Sequence, residues 1–189
     1  MTASKPWLVG HQEFAALYGV EAKRVAKWLS PSLATLDPAT AIVVSGVRYW
    51  PMGFACRYGN TTPRFKQIHM RVKERLIAEQ GEGWEADSRD QLPPIVGQQE
   101  IIELFHLPSQ GNLATAIATG RFPEADWLLS GSRLWLLDTV IKAVPALRES
   151  ARSLPWEPDE TVAEALRTGT YDGPGSVILT RGRHARKGP

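Results

Sequence analysis

Val9-Gly10-His11-Gln12-Glu13-Phe14-Ala15-Ala16-Leu17-Tyr18-Gly19-Val20 returns 87 positions later as Val96-Gly97-Gln98-Gln99-Glu100-Ile101-Ile102-Glu103-Leu104-Phe105-His106-Leu107. A second match, at an offset of 85, pairs Ser45-Gly46-Val47-Arg48-Tyr49-Trp50 with Ser130-Gly131-Ser132-Arg133-Leu134-Trp135. Two matches in the same order and at nearly the same offset mean that a whole folding unit is duplicated, not one helix. The 189 residues then divide into two small units of roughly 60 to 80 residues each.

Each copy reads outward from this core. Gly10 stands three residues before Glu13, whose charge complements the free amides of a helix start; Phe14, Leu17 and Tyr18 give that helix its apolar face. Gly97 and Glu100 repeat the signal. Gly19 ends the first helix in a tight turn, and a second begins near Glu21 with Val25, Trp28 and Leu29 inward. After a loop from Pro31 to Pro38, the β-branched run Ala41 to Val44, the Ser45-Gly46 turn and Val47 to Trp50 predict a small hairpin. In the second copy the hairpin is Trp127 to Leu129, Ser130-Gly131 and Leu134 to Leu137. Asp138 caps a further helix through Val140, Ile141 and Val144, which Pro145 is expected to disrupt. Between the copies, Thr62-Pro63 predicts the start of a connecting helix along Phe65, Ile68, Val72 and Leu76. Gly81-Glu82-Gly83 through Pro93-Pro94 predicts a hinge. One more helix is expected over Asp159 to Arg167.

Helix, glycine turn, helix and a short hairpin ending in Trp resembles the winged helix-turn-helix of the MerR-like and excisionase-like DNA-binding families. In the second copy, Gly120-Arg121-Phe122-Pro123-Glu124-Ala125-Asp126, then Ser130 to Trp135 and Asp138-Thr139-Val140, looks like the path from reading helix through wing to third helix. In the first copy, Gly19 to Trp28 falls on the turn and recognition helix. The matches cover roughly residues 7 to 52 and 94 to 144. Two departures stand out: His106-Leu107-Pro108 replaces the glycine turn, with one extra residue before Asn112, and the loop at 31 to 40 is longer and Pro-rich. The resemblance implies a mainly α fold with small β-hairpin wings, as two tandem winged helix-turn-helix modules joined by a helix. Its parts are a first module at 1–60, a connecting helix and acidic hinge at 61–93, a second module at 94–145, and a C-terminal helix with a basic flexible tail at 146–189.

A recognition helix presents polar groups to base edges in the major groove. The resemblance places Lys23, Arg24 and Lys27 there in the first copy, and the neutral Ser109, Gln110, Asn112 and Thr115 in the second, so the two helices should prefer different sequences. Arg48 and Arg133, at equivalent wing positions, are candidates for phosphate or minor-groove contact, with Arg121 a further one. The same residues also suit a solvated helix face. Spacing turns Trp28, Trp50 and Trp135 inward, while Lys66, Arg71, Lys73 and Arg75 are either the wet face of the connecting helix or a phosphate contact between modules.

The implied function is sequence-specific binding of double-stranded DNA by a transcriptional regulator, a repressor, of a phage, plasmid or other mobile element. One chain would replace a dimer on an asymmetric site, its modules about one helical turn, roughly 34 Å, apart. Two other roles stay open. One is an excisionase-like architectural factor that bends DNA, with an integrase as partner; the other is a non-catalytic adaptor whose second module binds a protein or self-associates. Either a translation or a pseudo-two-fold can relate the modules.

Composition bounds the remainder. The net charge is +2, distributed as +3 over residues 1–60, +3 over 61–80, −5 over 81–110, 0 over 111–150 and +1 over 151–189. The last stretch ends in Arg181, Arg183, Arg186 and Lys187. Basic ends around an acidic joint suit a polyanionic partner better than the sum suggests. Cys56 has no cysteine to pair with, and four scattered histidines set no metal spacing. Phosphate-loop, nucleophile-elbow and paired-cysteine motifs are missing. The expectation is a cytoplasmic protein without catalysis, metal, cofactor, small-molecule ligand or membrane span.

Overall fold

The computed structural model describes residues 4–33, 35–150 and 153–178; the basic positions Arg181 to Lys187 lie outside the described residues. The first module contains β1 (Lys5–Pro6), β2 (Leu8–Val9), α1 (His11–Leu17), α2 (Ala22–Trp28), β3 (Ile42–Val44), β4 (Val47–Pro51), α3 (Met52–Thr61), α4 (Met70–Gln80) and β5 (Gly83–Trp84). The second contains β6 (Ile95–Val96), α5 (Gln98–Leu104), α6 (Gln110–Ala118), β7 (Trp127–Leu129), β8 (Ser132–Leu136), α7 (Leu137–Ser150) and α8 (Glu160–Thr168). The fold is mixed α/β, helices with small sheets. Each hairpin is joined by the strand preceding the module's first helix, giving antiparallel sheets ordered β2-β4-β3 and β6-β8-β7. A separate parallel pair joins β1 to β5.

The hairpin turns have positive φ at both central residues, 47° and 76° at Ser45-Gly46 and 48° and 78° at Ser130-Gly131. That is the two-residue turn whose twist matches the flanking strands. The turn between the first two helices is also the same in both copies, although one uses glycine and the other histidine. Gly19 has φ of 62° and His106 of 48°. Val20 N donates to Ala15 O at 3.0 Å, and Leu107 N to Ile102 O at 2.9 Å. A side chain in this left-handed region costs about 1–2 kcal/mol. His106 is held there by Asp159, the N-cap of α8, through Nε2 to Oδ2 at 2.8 Å, while Asp159 N donates to Leu104 O at 2.8 Å.

Strands β2 and β6 and the last three residues of β4 and of β8 bury both faces, and this organises the molecule. Val9 and Trp50 point into the first module's core with Phe14, Leu17, Val25 and Trp28; Val96 and Trp135 do the same in the second module with Ile101, Leu104 and Leu113. The alternate residues Leu8, Val44 and Tyr49 turn the other way, as side chains on successive strand positions must. There they meet Ile95, Trp127, Leu129, Leu134 and Leu136 of the second module in a third apolar cluster. The two sheets are therefore packed on each other, back to back with respect to their own helices.

Several expectations for the middle of the chain are corrected. Thr62-Pro63 does not start a helix: the Thr62 hydroxyl donates to Gly59 O at 3.0 Å at the end of α3, and α4 begins only at Met70. Phe65, expected on an apolar stripe, is 71% exposed. Through Leu76, α4, the expected connecting helix, packs into the first module's core. The expected hinge is fixed in place. Gly83-Trp84 forms β5, Ala86 is buried, Lys73 pairs with Glu85 at 2.7 Å and Arg57 with Asp87 at 2.5 Å. Pro145 does not end α7, which continues to Ser150.

Candidate nucleic-acid interface

The second helix of each pair buries one face and offers the other to solvent. In α2, Val25 and Trp28 are buried and Lys23, Arg24 and Lys27 are exposed; Lys23 Nζ lies 2.5 Å from Glu21 Oε2. In α6, Leu113 and Ala116 are buried, Gln110 and Thr115 are exposed and Asn112 is half-buried. The Ser109 hydroxyl donates to Asn112 Oδ1 at 2.8 Å, so these two polar groups already engage each other. Arg121 is exposed just past Gly120, which takes a φ of 67° after α6.

The four basic residues between Lys66 and Arg75 separate. Lys66 Nζ lies 5.7 Å from the centroid of the Trp28 ring, which places a fourth cation beside α2 and adds a cation–π contact. Lys73 is tied to Glu85, and Arg75 Nε lies 3.5 Å from Glu79 Oε1. Arg71 is exposed on α4.

The hairpin tips do not project into solvent. The Ser130 amide and hydroxyl both donate to the Glu13 carboxylate at 2.7 Å, and the Ser130 oxygen accepts from Gln12 N at 3.1 Å. In the reverse sense, the Ser45 amide and hydroxyl donate to Glu100 at 2.7 and 2.6 Å, and the Ser45 oxygen accepts from Gln99 N at 3.0 Å. Each turn therefore seats on the first helix of the other module.

The chemistry of this contact accounts for the repeated residues. A helix start leaves amides without partners, and an N-cap side-chain oxygen normally satisfies one of them. Here the N-caps are Gly10 and Gly97, which have no such oxygen. The oxygen comes from the serine of the opposite hairpin, and glycine leaves room for it. A Cβ at Gly10 would sit 2.3 Å from Ser130 Oγ, and one at Gly97 would sit 2.4 Å from Ser45 Oγ. The glutamates complete the cap by accepting from Gly10 N and Gly97 N at 3.0 Å. Glu100 is 2% exposed, a buried carboxylate with three donors, the arrangement a buried charge requires.

This placement redefines Arg48 and Arg133. Both lie on the strand leaving the turn, Arg48 opposite Val43 and Arg133 opposite Leu128. Arg133 is exposed, whereas Arg48 is half-buried. Burial, with the Arg48 guanidinium next, holds the His11 imidazole below its ordinary pKa against the opposing pull of Glu13. Any contact that these arginines make with a partner comes from the strand flank and not from a free tip.

Sequence reading identified Gly10, Glu13, Ser45 and their counterparts as helix and turn signals, but not their meeting across modules. Two signals pointed there: the apolar run Leu134-Trp135-Leu136-Leu137 does not alternate, as in strands covered on both sides; and the residues kept between copies were Gly, Glu, Ser and Trp, whereas the α2 and α6 surfaces differ. Comparison with protein-family profiles, curated proteins and solved structures returns no match.

Proposed function

We propose that the chain binds double-stranded DNA sequence-specifically as a transcriptional regulator, a repressor of the kind carried by mobile elements, with α2 as its principal reading element. The observation that carries this reading is the cluster of Lys23, Arg24, Lys27 and Lys66 on and beside a half-exposed helix that follows a tight turn. Cations at such a helix supply phosphate attraction, and Arg or Lys near its start can pair with guanine edges. In α6 the exposed Gln110 and half-buried Asn112 suit adenine, so the second module adds a different preference.

Selection of bound duplexes from a randomised pool at near-physiological salt tests this. An enriched motif supports it, and no retention even at low salt refutes it. Lys23→Ala and Arg24→Ala should each change the preferred sequence, at a cost of about 1–3 kcal/mol where the side chain pairs with a base. Lys66→Ala should weaken all sequences alike and reduce the salt slope by about 1.

A second reading, an adaptor whose second module holds a protein, is favoured by one observation: α6 presents no cation at its exposed positions. It predicts an enriched motif confined to a single block, unaffected by substitution of Gln110 or Asn112.

A further inference from the structure

The contacts between modules are reciprocal. Glu13 of the first grips Ser130 of the second, and Glu100 of the second grips Ser45 of the first; in the repeat, Glu13 corresponds to Glu100 and Ser45 to Ser130. Gly10 faces Ser130 as Gly97 faces Ser45. A translation that carried one module onto the next would bring patch a against patch b once, with no reverse contact. Reciprocal pairing of the same two patches is the mark of an isologous interface, generated by a two-fold axis. The shared apolar cluster agrees, because each sheet contributes the same face to it.

From this we infer that the chain recognises DNA as an inverted arrangement of two unlike half-sites, and not as a direct repeat. The inference rests on the DNA-binding reading above. Points exchanged by a two-fold axis lie at the same height along it, so α2 and α6 are presented in one plane perpendicular to the axis. A DNA duplex has two-fold axes of its own, perpendicular to its length, and the half-sites that these axes relate are inverted. Superposing the protein axis on one of them brings both helices to the duplex together, as in dimeric readers, whose operators mirror protein symmetry. The Glu-Ser caps fix this arrangement, and the differing surfaces of α2 and α6 make the half-sites unlike. The symmetry is therefore in the orientation of the two blocks and not in their base sequence.

Because unlike blocks conceal their orientation, the test makes them alike. Aligning the buried pairs Val25 with Leu113 and Trp28 with Ala116 sets Lys23 against Gly111, Arg24 against Asn112 and Lys27 against Thr115. A Cβ at Gly111 meets Ser109 Oγ at an ordinary 3.5 Å and Thr115 is exposed, so these two positions accept longer side chains, while Asn112 is half-buried. The triple variant G111K/N112R/T115K is put through duplex selection beside the unmodified chain. The expected result is a motif with two copies of the first module's block in inverted orientation, bound roughly tenfold or more tightly than the same blocks placed as a direct repeat, the effect of misplacing at least one base-pair contact.

Two copies in direct orientation, or one block only, would overturn the inference while leaving DNA binding by the first module intact. No motif from the unmodified chain would instead sink the DNA-binding reading itself. Should the triple variant not fold, the orientation is read from single cysteines. Lys27→Cys and Thr115→Cys, each with Cys56→Ala, carry a DNA-cleaving iron chelate on the selected duplex. Cuts that mirror each other on opposite strands about the site centre support the two-fold arrangement, and cuts displaced along the same strand contradict it.

Discussion

At Ser45 and Ser130 a non-glycine residue occupies a left-handed position that asparagine or glycine would take at lower cost, and the hydroxyl is the reason. Ser130→Ala leaves the Gln12 amide without its cap and removes one donor from Glu13. It should destabilise by about 0.5–2 kcal/mol in urea unfolding, the usual cost of a lost N-cap. Gly97→Ala should cost more than a glycine-to-alanine change at an open site, because its methyl group collides with Ser45 Oγ. His11 supplies a pH prediction. Its folded pKa is lowered, by burial first and by Arg48 second, so the unfolded chain binds the proton more readily. Stability should therefore fall as pH drops through the ordinary histidine value near 6.5 and level off below the folded value. An NMR titration of His11 should give a midpoint below 6.5 that moves up in Arg48→Met; an unshifted midpoint would remove Arg48 from its surroundings.

The second module's helix pair depends on α8 lying across its turn. The Asp159 carboxylate caps α8 at Thr161 N and Val162 N and also holds His106. Its pKa is lowered, by the Val162 amide first and by the His106 hydrogen bond next. The contribution is therefore present above the ordinary aspartate value and is lost as pH falls through the lower folded one. Asp159→Ala should reduce Tm at neutral pH, and the gap to the unmodified chain should close in acid. Elements with a local signal were legible. The Gly10/Glu13 and Gly97/Glu100 starts, the Ser-Gly hairpins and, within a residue at each end, the helix expected over Asp159 to Arg167 lie where their residues predict. Elements set by tertiary approach were not. In α3, Gly53 and Gly59 each lower helix propensity by about 1 kcal/mol relative to alanine and hide the helix. The structure needs them: a Cβ at Gly59 would meet the Lys66 carbonyl oxygen and the Tyr18 ring, and one at Gly53 would meet Ala86. Thr62-Pro63 carried a strong start signal but is used at a helix end. The exposure of Lys23, Arg24 and Lys27 on α2 was legible from helical spacing; the approach of Lys66 to Trp28 depends on a loop whose path no local pattern encodes.

Across the whole molecule, the layer containing Leu8, Tyr49, Trp127 and Leu134 joins the two modules, which should therefore unfold as one cooperative unit. Leu134→Ala, at a site 1% exposed, should cost about 2–5 kcal/mol and lower the stability of both modules together. Coincident urea curves from Trp fluorescence and far-ultraviolet circular dichroism would bear this out, and separate transitions would contradict it. A fragment ending at residue 93 leaves Leu8, Val44 and Tyr49 without their cover. Because the covering patch closely resembles the fragment's own, the fragment should pair with itself through Glu13 and Ser45 as a homodimer visible in sedimentation. The crossed caps also bear on dose. Two separate subunits must meet before they can grip a ligand together, so occupancy at low abundance rises with the square of their concentration. With both halves on one polypeptide that encounter is already made, and under the proposed DNA-binding function occupancy by a single chain should follow a simple hyperbola in protein concentration, without the steepness of a dissociating pair.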